Sequence, residues 1–358
     1  MGRKWLILTV VLALVLSSVG PVFAAVDVAS ALAYLKTQQN EDGGFGSGFS
    51  PGSSLISTAD VVLAIVAAGG DVATFTRAGQ TPLTYLAAQA PSATTAGDLA
   101  KLILAVVAVG QDPRTFGGVD AVAKLEKMIG ADGRIGGAQD TFVSHLYAVL
   151  ALVSAGRPIP ATAVNLIKKA QQENGGWAWD GTLTTAVDTN TTAFAVQALI
   201  AAGEPAGSEV VTRALGYYKS IQNDDGGWPY QNPSDYGTLT DANSTAVTIQ
   251  ALIAAGQKVS GAEWTTPSGQ NPLLALEALQ NESGAFMWKA DVPGDNLLAT
   301  VQALPAVAGK AFPLARVPAA AAPTTLPVTG GPALNLAWLL VLSGLAVGGG
   351  GYLLYRRK

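Results

Sequence analysis

The chain has 358 residues, a net charge of −4, one histidine and no cysteine. The absence of cysteine excludes disulfides, thiolate metal sites and cysteine nucleophiles. Outside its two ends the chain has no cluster of Lys and Arg, so it lacks the basic surface that a nucleic-acid partner requires.

Residues 1–24 have the three-part pattern of a secretory signal peptide. Arg3 and Lys4 precede an apolar run at residues 5–16, and Val22-Phe23-Ala24 precede the expected cleavage site. We therefore expect the mature chain to begin near Ala25 and to be exported.

One turn pattern recurs along residues 25–310, which we assign to a single domain. A Gln-rich or acid-rich stretch leads to small residues and then to one bulky apolar residue. These bulky residues are Phe45, Ile135, Trp177, Trp228 and Phe286. Between the first two, residues 85–89 and 99–109 read as a copy that retains its helices and lacks the turn. Such periodicity indicates one copied supersecondary unit, so six units are predicted.

Each unit is predicted to be a helical hairpin. Residues 161–172 have apolar side chains at helical spacing on one face, and Gly175-Gly176 can end that helix. The helix that follows the turn is apolar on nearly every side, which is typical of a buried helix. Such inner helices are expected at residues 59–68, 99–109, 144–155, 193–202, 246–255 and 299–308.

Six buried helices need protein around all of them. A closed ring of hairpins meets that need, with the inner helices around a central hub, so we predict an all-α fold, the α/α toroid (α6/α6 barrel). An open superhelix of the same hairpins is the alternative.

The Gln-x-x-x-Gly-Gly-Trp turns are followed by Asp-x-Asn-[Ser/Thr]-Thr-Ala at 188–193 and 241–246. This combination resembles the repeats of the squalene–hopene cyclase and protein prenyltransferase superfamily. The resemblance implies a toroid whose apolar central cavity holds an isoprenoid.

The resemblance does not extend to the catalytic groups. The cyclases carry Asp-x-Asp-Asp-Thr-Ala at this place, and their middle acid protonates the substrate double bond. Asn190 and Asn243 occupy that position here, and an amide cannot serve as the acid. The prenyltransferase zinc site and the reactive bond of complement-like thioester domains both need a cysteine, which is absent.

The polar residues that begin the inner helices are candidates for ligand contact, and capping of the helix starts is their alternative role. Asp188, Asp241 and Asp295 are the weak candidates for catalytic carboxylates, and no metal site is predicted. His145 lies within an inner helix, where a core or cavity-wall role competes with acid–base chemistry. The candidate ligand-binding residues are Asp188, Asn190, Thr192, Asp241, Asn243, Thr245, Asp295, Asn296 and His145.

Residues 294–310 are similar to the last helical segment of the cobalamin carriers, the transcobalamin and intrinsic-factor group. That resemblance implies a corrinoid at the mouth of the toroid, held against a second, small β domain. A linker occupies the place of that domain here, so cobalamin binding would need a partner chain. No other cofactor is predicted.

The C-terminal end carries three signals in order. A Pro/Ala-rich linker at 311–325 leads to Leu326-Pro327-Val328-Thr329-Gly330, and an apolar stretch at 333–355 precedes the basic tail 356–358. This order resembles a sortase sorting signal, in which the Thr329–Gly330 bond is cut and Thr329 is joined to the cell wall. A plain transmembrane anchor is the alternative. Either way we expect a domain outside a bacterium with a Gram-positive-type surface, with sortase and the wall as partners.

Three functions remain open. The preferred hypothesis is a non-catalytic module that binds a hydrophobic or amphipathic small molecule in its central cavity. An adhesive ring would expose apolar side chains to a protein partner, and the candidates in the post-turn loops are Trp179, Tyr230, Tyr236 and Trp288. A degenerate terpene cyclase, or another enzyme that uses carboxylates such as Asp291, is the third.

Overall fold

The computed structural model describes residues 26–48, 50, 52–235 and 237–317. The expected signal peptide, sorting motif, membrane helix at 333–355 and basic tail lie outside this range, as does most of the expected linker. No helix within the described range is long and apolar enough to cross a bilayer.

The described chain forms six helical hairpins, as predicted. The outer helices are α1 (Val28–Thr37), α3 (Pro82–Gln89), α5 (Ala121–Glu126), α7 (Ala161–Lys169), α9 (Glu209–Ile221) and α11 (Pro272–Glu277). The inner helices are α2 (Leu55–Ala67), α4 (Ala96–Ala108), α6 (Phe142–Ser154), α8 (Thr189–Ala201), α10 (Ala242–Ala254) and α12 (Leu297–Val307). The degenerate second unit is therefore present as α3 and α4.

The sixth unit departs from the all-α prediction. Between α11 and α12, β1 (Phe286–Lys289) and β2 (Val292–Asn296) form an antiparallel hairpin in which Phe286 pairs with Asn296. The bulky residues of β1 favour extended backbone, and the repeat pattern alone gave no signal for a partner strand.

The ring is closed. Each inner helix packs against the next, and α12 packs against α2. Gln280 makes a second connection between the last and first units, because its Oε1 accepts the Asp27 N–H at 2.8 Å and its Nε2 donates to the Asp27 carbonyl at 2.9 Å. The open superhelix is therefore excluded.

The inner helices begin two to four residues before the apolar runs predicted from the sequence. A polar residue caps each start and accepts a hydrogen bond from the N–H three residues later, as Asp188 does from Thr191 at 2.7 Å. The six caps are Ser54, Thr95, Thr141, Asp188, Asp241 and Asn296. Capping supplies partners for N–H groups that a helix start leaves free, so the polar residues after each cap form the first helical turn.

In four of the turns, a glutamine joins two neighbouring units. In the fourth unit, Nε2 of Gln171 donates at 2.8 Å both to the Gly175 carbonyl of its own turn and to the Val210 carbonyl of the next unit. Gly175 has φ +92°, and a Cβ there would lie 2.2 Å from the Arg213 carbonyl oxygen. The turn therefore needs glycine both for its backbone conformation and for this close approach. Gln39, Gln222 and Gln280 make the same pair of contacts.

Residues 311–317, predicted as the start of a linker, instead pack against the ring as a strap. The Phe312 N–H donates to Gln197 Oε1 at 2.9 Å, and the Ser154 hydroxyl donates to the Ala315 carbonyl at 2.7 Å. Phe312, Leu314 and Val317 supply apolar contacts to the core, which the Pro/Ala content of the segment concealed. Because Ser154 is the last residue of α6, the strap covers the end of the hub where the inner helices finish.

Candidate functional site

The sixth residue of every inner helix lines the hub. These residues form a single layer and are Asp60, Lys101, Tyr147, Phe194, Val247 and Gln302. The starts of neighbouring inner helices lie together. The Gly97 N–H of α4 donates to Asp140 Oδ1 just before α6 at 3.2 Å, and the Thr189 N–H of α8 donates to the Tyr230 carbonyl of the segment before α10 at 2.9 Å. We therefore place the N-termini of the inner helices at one end of the ring. We call that end the mouth and the strap-covered end the closed end.

Contacts run around this layer from helix to helix. Lys101 Nζ lies 2.6 Å from Asp60 Oδ1 and 3.6 Å from the centroid of the Tyr147 ring, and the Tyr147 and Phe194 rings are 4.7 Å apart. On the other side, Gln302 Oε1 accepts a hydrogen bond from Asn243 Nδ2 at 2.9 Å. The side chains of the layer thus support one another across the hub.

The hub is nearly full. Together with Gln250, Pro305 and Phe312 of the strap, the layer leaves a cavity of about 20 Å³. That volume holds roughly one water molecule. At the level of this layer, the described ring therefore has no room for a hydrophobic or isoprenoid ligand. The alanine-rich sequence suggested open space, but the residues that line this cavity include no alanine.

The charge in the hub is locally compensated. Burial opposes the charged form of Lys101 most strongly, but the Asp60 carboxylate and Tyr147 together outweigh it, so the pKa of Lys101 is raised. Burial also raises the pKa of Tyr147 to about 12. Lys101 therefore remains an ammonium ion that binds Asp60 and the face of Tyr147, a cation–π contact.

The second residue of each inner helix lies one turn closer to the mouth, on the same helix face. These residues are Ile56, Gly97, Val143, Asn190, Asn243 and Leu298. Asn190, at the position of the cyclase acid, has a buried Oδ1 without a hydrogen-bond partner among the described residues. The floor of the mouth is thus partly apolar and partly amide, and it has no acid at the position that the cyclases use.

The two predicted carboxylates of the fourth and fifth units are helix caps. Asp188 and Asp241 are 1% and 2% exposed, and burial raises the pKa of each to about 6. Asp241 accepts from the Ser244 N–H at 2.7 Å and from the Ser244 hydroxyl at 2.9 Å, and Asp188 Oδ2 has no partner among the described residues. The geometry of both carboxylates is that of caps at the ends of the inner helices.

Four other candidate ligand-binding residues make hydrogen bonds that stabilise the repeat units. Thr192 and Thr245 accept the N–H groups of Trp177 and Trp228, each at 3.0 Å, and thereby fix the bulky residue of the turn. Asp295 accepts hydrogen bonds from Asn281 and Ser283, both at 2.8 Å, and Asn296 caps α12. Ligand contact at these residues stays a prediction.

His145 is a structural member of the third turn. It is the fourth residue of α6, a position that is threonine in four other units, and its Nδ1 accepts the Ile135 N–H at 3.0 Å. Its Nε2 lies 3.3 Å from the Ala163 carbonyl oxygen in the next unit. Ile129 stands where the other turns have glutamine, so His145 supplies the link between units that glutamine supplies elsewhere. Burial lowers its pKa to about 4, which leaves a neutral ring.

Sequence reasoning missed the hub layer. The signal was available, because each layer residue lies six positions after a capping Ser, Thr, Asp or Asn, and Lys101 is a lone cation within an apolar helix. The described residues also contain no group of three His, Asp or Glu side chains placed to hold a metal ion.

Comparison with known proteins supports the superfamily suggested by the turns. Residues 135–291 match the family model described as squalene-hopene cyclase C-terminal domain. This range extends from the third turn into the hairpin of the sixth unit and covers less than half of the chain. No curated protein sequence matches the chain significantly.

Solved structures resemble the whole ring at low sequence identity. A variant of the type II terpene cyclase MstE from Scytonema, in complex with its substrate geranylgeranyl dihydroxybenzoate, has a TM-score of 0.57 and 14% identity. The match covers 79% of this chain and 95% of that one. The ent-copalyl diphosphate synthase from Streptomyces platensis has a TM-score of 0.50 and 17% identity, with 71% and 50% covered.

A glycosidase variant in complex with glucose is also similar, with a TM-score of 0.53, 13% identity and coverage of 79% and 95%. At these identities the likeness concerns the fold and not the chemistry. The described ring therefore has the α/α toroid fold of the terpene cyclases, with squalene–hopene cyclase-like turns in its second half.

Proposed function

We propose that this chain is a non-catalytic binding protein, exported and anchored at the cell surface, that uses the outside of its ring rather than a central cavity. The single observation that carries the proposal is the hub layer, in which Lys101, Tyr147 and Phe194 are among the side chains that fill the space between the inner helices. A remaining volume of about 20 Å³ is far below the several hundred Å³ typical of ligand pockets.

The residues at the mouth support our proposal that the chain does not catalyse cyclisation. Protonation of an alkene needs a carboxylic acid directed at a substrate held in a dry cavity. Asn190 replaces that acid, and the neighbouring Asp188 is engaged in capping α8. Even with a carboxylic acid in place of Asn190, the hub layer would leave too little space for the substrate.

Surface display is the second part of the proposal, and it rests on the sequence signals at both ends of the chain. The described range ends at the closed end of the ring, where the Val317 N–H donates to the Ser154 carbonyl at 2.7 Å.

The test is turnover by the purified full chain. Squalene and geranylgeranyl dihydroxybenzoate are incubated with the wild type, and products are followed by gas or liquid chromatography with mass spectrometry. We expect no cyclised product from either substrate. Cyclisation by the wild type above the level of a heat-treated sample would overturn the non-catalytic assignment.

A further inference from the structure

Exposed apolar side chains collect at one end of the ring. Among the described residues, the large hydrophobic side chains that are exposed are Ile56 (40%), Trp179 (50%), Leu183 (62%), Leu239 (53%) and Val292 (44%). Ile56 lies in the first turn of α2, and the other four lie in the segments that lead into the inner helices. All five therefore belong to the mouth, where folding does not cover them.

The same end of the ring is acidic. We define the mouth loops as the described residues within 46–48, 50, 52–54, 91–95, 136–141, 178–188, 229–235, 237–241 and 287–296, which join each turn to its inner helix. They contain seven acidic residues and one basic residue, Lys289, whereas the connections that follow the inner helices contain five acidic and six basic residues. Of the seven acids, Asp140, Asp188 and Asp241 are buried, and Asp180, Asp235, Asp291 and Asp295 remain at least partly exposed. Lys289 is itself 9% exposed and lies 3.9 Å from Asp291. The N-termini of the inner helices offset only part of this charge, at about half a unit each.

An apolar cleft opens between the first and last inner helices at the mouth. It has a volume of about 180 Å³ and is lined by Ile56, Val61, Leu297, Leu298 and Val301, with Asp60 among the lining residues. The cleft is large enough for one long side chain of a partner. An apolar side chain, or the aliphatic stem of a cationic one, suits it, because its lining is mostly aliphatic and the Asp60 carboxylate is already paired with Lys101 at 2.6 Å.

From these observations we infer that the mouth binds a basic, amphipathic polypeptide segment. The apolar side chains supply contact area, and the acidic loops supply charge complementarity. An anionic membrane or a nucleic acid would be repelled by the same loops. The acids of the described range form no cluster suited to a metal ion, so an extended cationic partner fits them better than a divalent cation. This inference deepens the proposed function and rests on it.

The test uses a defined probe and the full chain in non-ionic detergent. The probe is a fluorescein-labelled 18-residue peptide of Lys and Leu, arranged so that the leucines share one helix face, and binding is measured by fluorescence anisotropy. We expect saturable binding that weakens as salt is raised, because exposed charges are screened. A peptide with Glu in place of Lys, and one of the same composition in scrambled order, should bind at least tenfold more weakly.

Two double variants and a matched control locate the site. Leu183→Ser with Leu239→Ser removes exposed apolar area and should weaken peptide binding roughly tenfold or more, as expected for interface anchors. Asp235→Asn with Asp291→Asn should weaken it about threefold to tenfold and reduce its salt dependence. The control Asp71→Asn with Asp112→Asn changes the net charge equally at the closed end and retains side chains that can cap; it should bind as the wild type does.

Each outcome bears on the inference. Absence of saturable binding by the wild type, equal binding of the acidic peptide, or an equal loss in the closed-end control would overturn it. If peptide binding fails while polyprenes are not turned over, the mouth inference is wrong and the non-catalytic assignment stands. If polyprenes are turned over, the proposed function fails whatever the peptide does.

Discussion

His145 and Ala163 connect the third and fourth units, with His145 Nε2 3.3 Å from the Ala163 carbonyl oxygen. In the other complete turns, glutamine makes this link and threonine holds the bulky residue, whereas one imidazole does both here. The lone histidine of the chain therefore makes the hydrogen bonds that link two units of the ring.

The glutamine and threonine of the other turns can be introduced into the third turn by mutation. His145→Thr should keep the hydrogen bond to Ile135 but lose the link to Ala163 and leave a cavity, at a cost of about 2–4 kcal/mol in unfolding free energy. Adding Ile129→Gln recreates the pattern of the other turns and should recover part of that loss. Urea unfolding of both variants measures the loss of unfolding free energy and its recovery. Equal stability of the single and double variants would contradict the shared role.

The buried imidazole also predicts a pH dependence. Its folded pKa is about 4, below the unfolded value of about 6.5, so the folded state prefers the neutral ring. The stabilisation is complete above pH 6.5 and is lost as pH falls through 4, by up to about 3 kcal/mol. The stability advantage of the wild type over His145→Gln should therefore shrink between pH 7 and pH 4. An advantage that is constant over this range would show that the ring does not titrate in this way.

The capping carboxylates predict that stability changes with pH in the opposite direction. The folded pKa values of Asp188 and Asp241 are about 6, above the unfolded value of about 3.9. The folded state thus favours the protonated acid, and stability falls as pH rises from 4 through 6. Asp188→Asn keeps a good cap and should be about 1–3 kcal/mol more stable than the wild type at pH 7, with little difference at pH 4. Thermal unfolding at the two pH values checks this, and a variant that is less stable at pH 7 would refute it.

The ion pair in the hub gives a further prediction. Lys101→Met removes the partner of the mostly buried Asp60 and should destabilise the ring by about 3–5 kcal/mol. The double variant Lys101→Met with Asp60→Leu removes both charges and should be close to the wild type. Urea unfolding of the two variants tests this. A double variant as unstable as the single one would contradict the prediction that the unpaired charge of Asp60 causes the loss of stability.

The anchor proposal has its own test. Thr329→Ala removes the residue that sortase would join to the wall. Cells that express this variant should release the protein with detergent and retain little in the lysozyme-sensitive wall fraction, while Thr325→Ala, one residue before the motif, serves as the control. Unchanged wall linkage in Thr329→Ala would remove the sortase interpretation.

Much of the ring could be predicted from the sequence because its parts are local. The Gln and Gly-Gly-Trp turns, the caps and the apolar inner helices each follow from short-range rules, and their repetition fixed the number of hairpins. The hub could not be predicted in the same way, since its filling depends on which six side chains meet across the ring. Lys101 and Tyr147 come from neighbouring units and meet only when the inner helices of those units pack together. The strap was missed because its Phe312 contacts Gln197, more than one hundred residues earlier.

The central claim is that the hub is filled by the chain itself. Native mass spectrometry of the full chain, purified from its source cell and released from detergent in the gas phase, tests it most directly. We predict the mass of the processed polypeptide alone, before and after incubation with squalene. A stoichiometric adduct of isoprenoid mass that disappears in Phe194→Trp, a variant with less hub space, would contradict the claim.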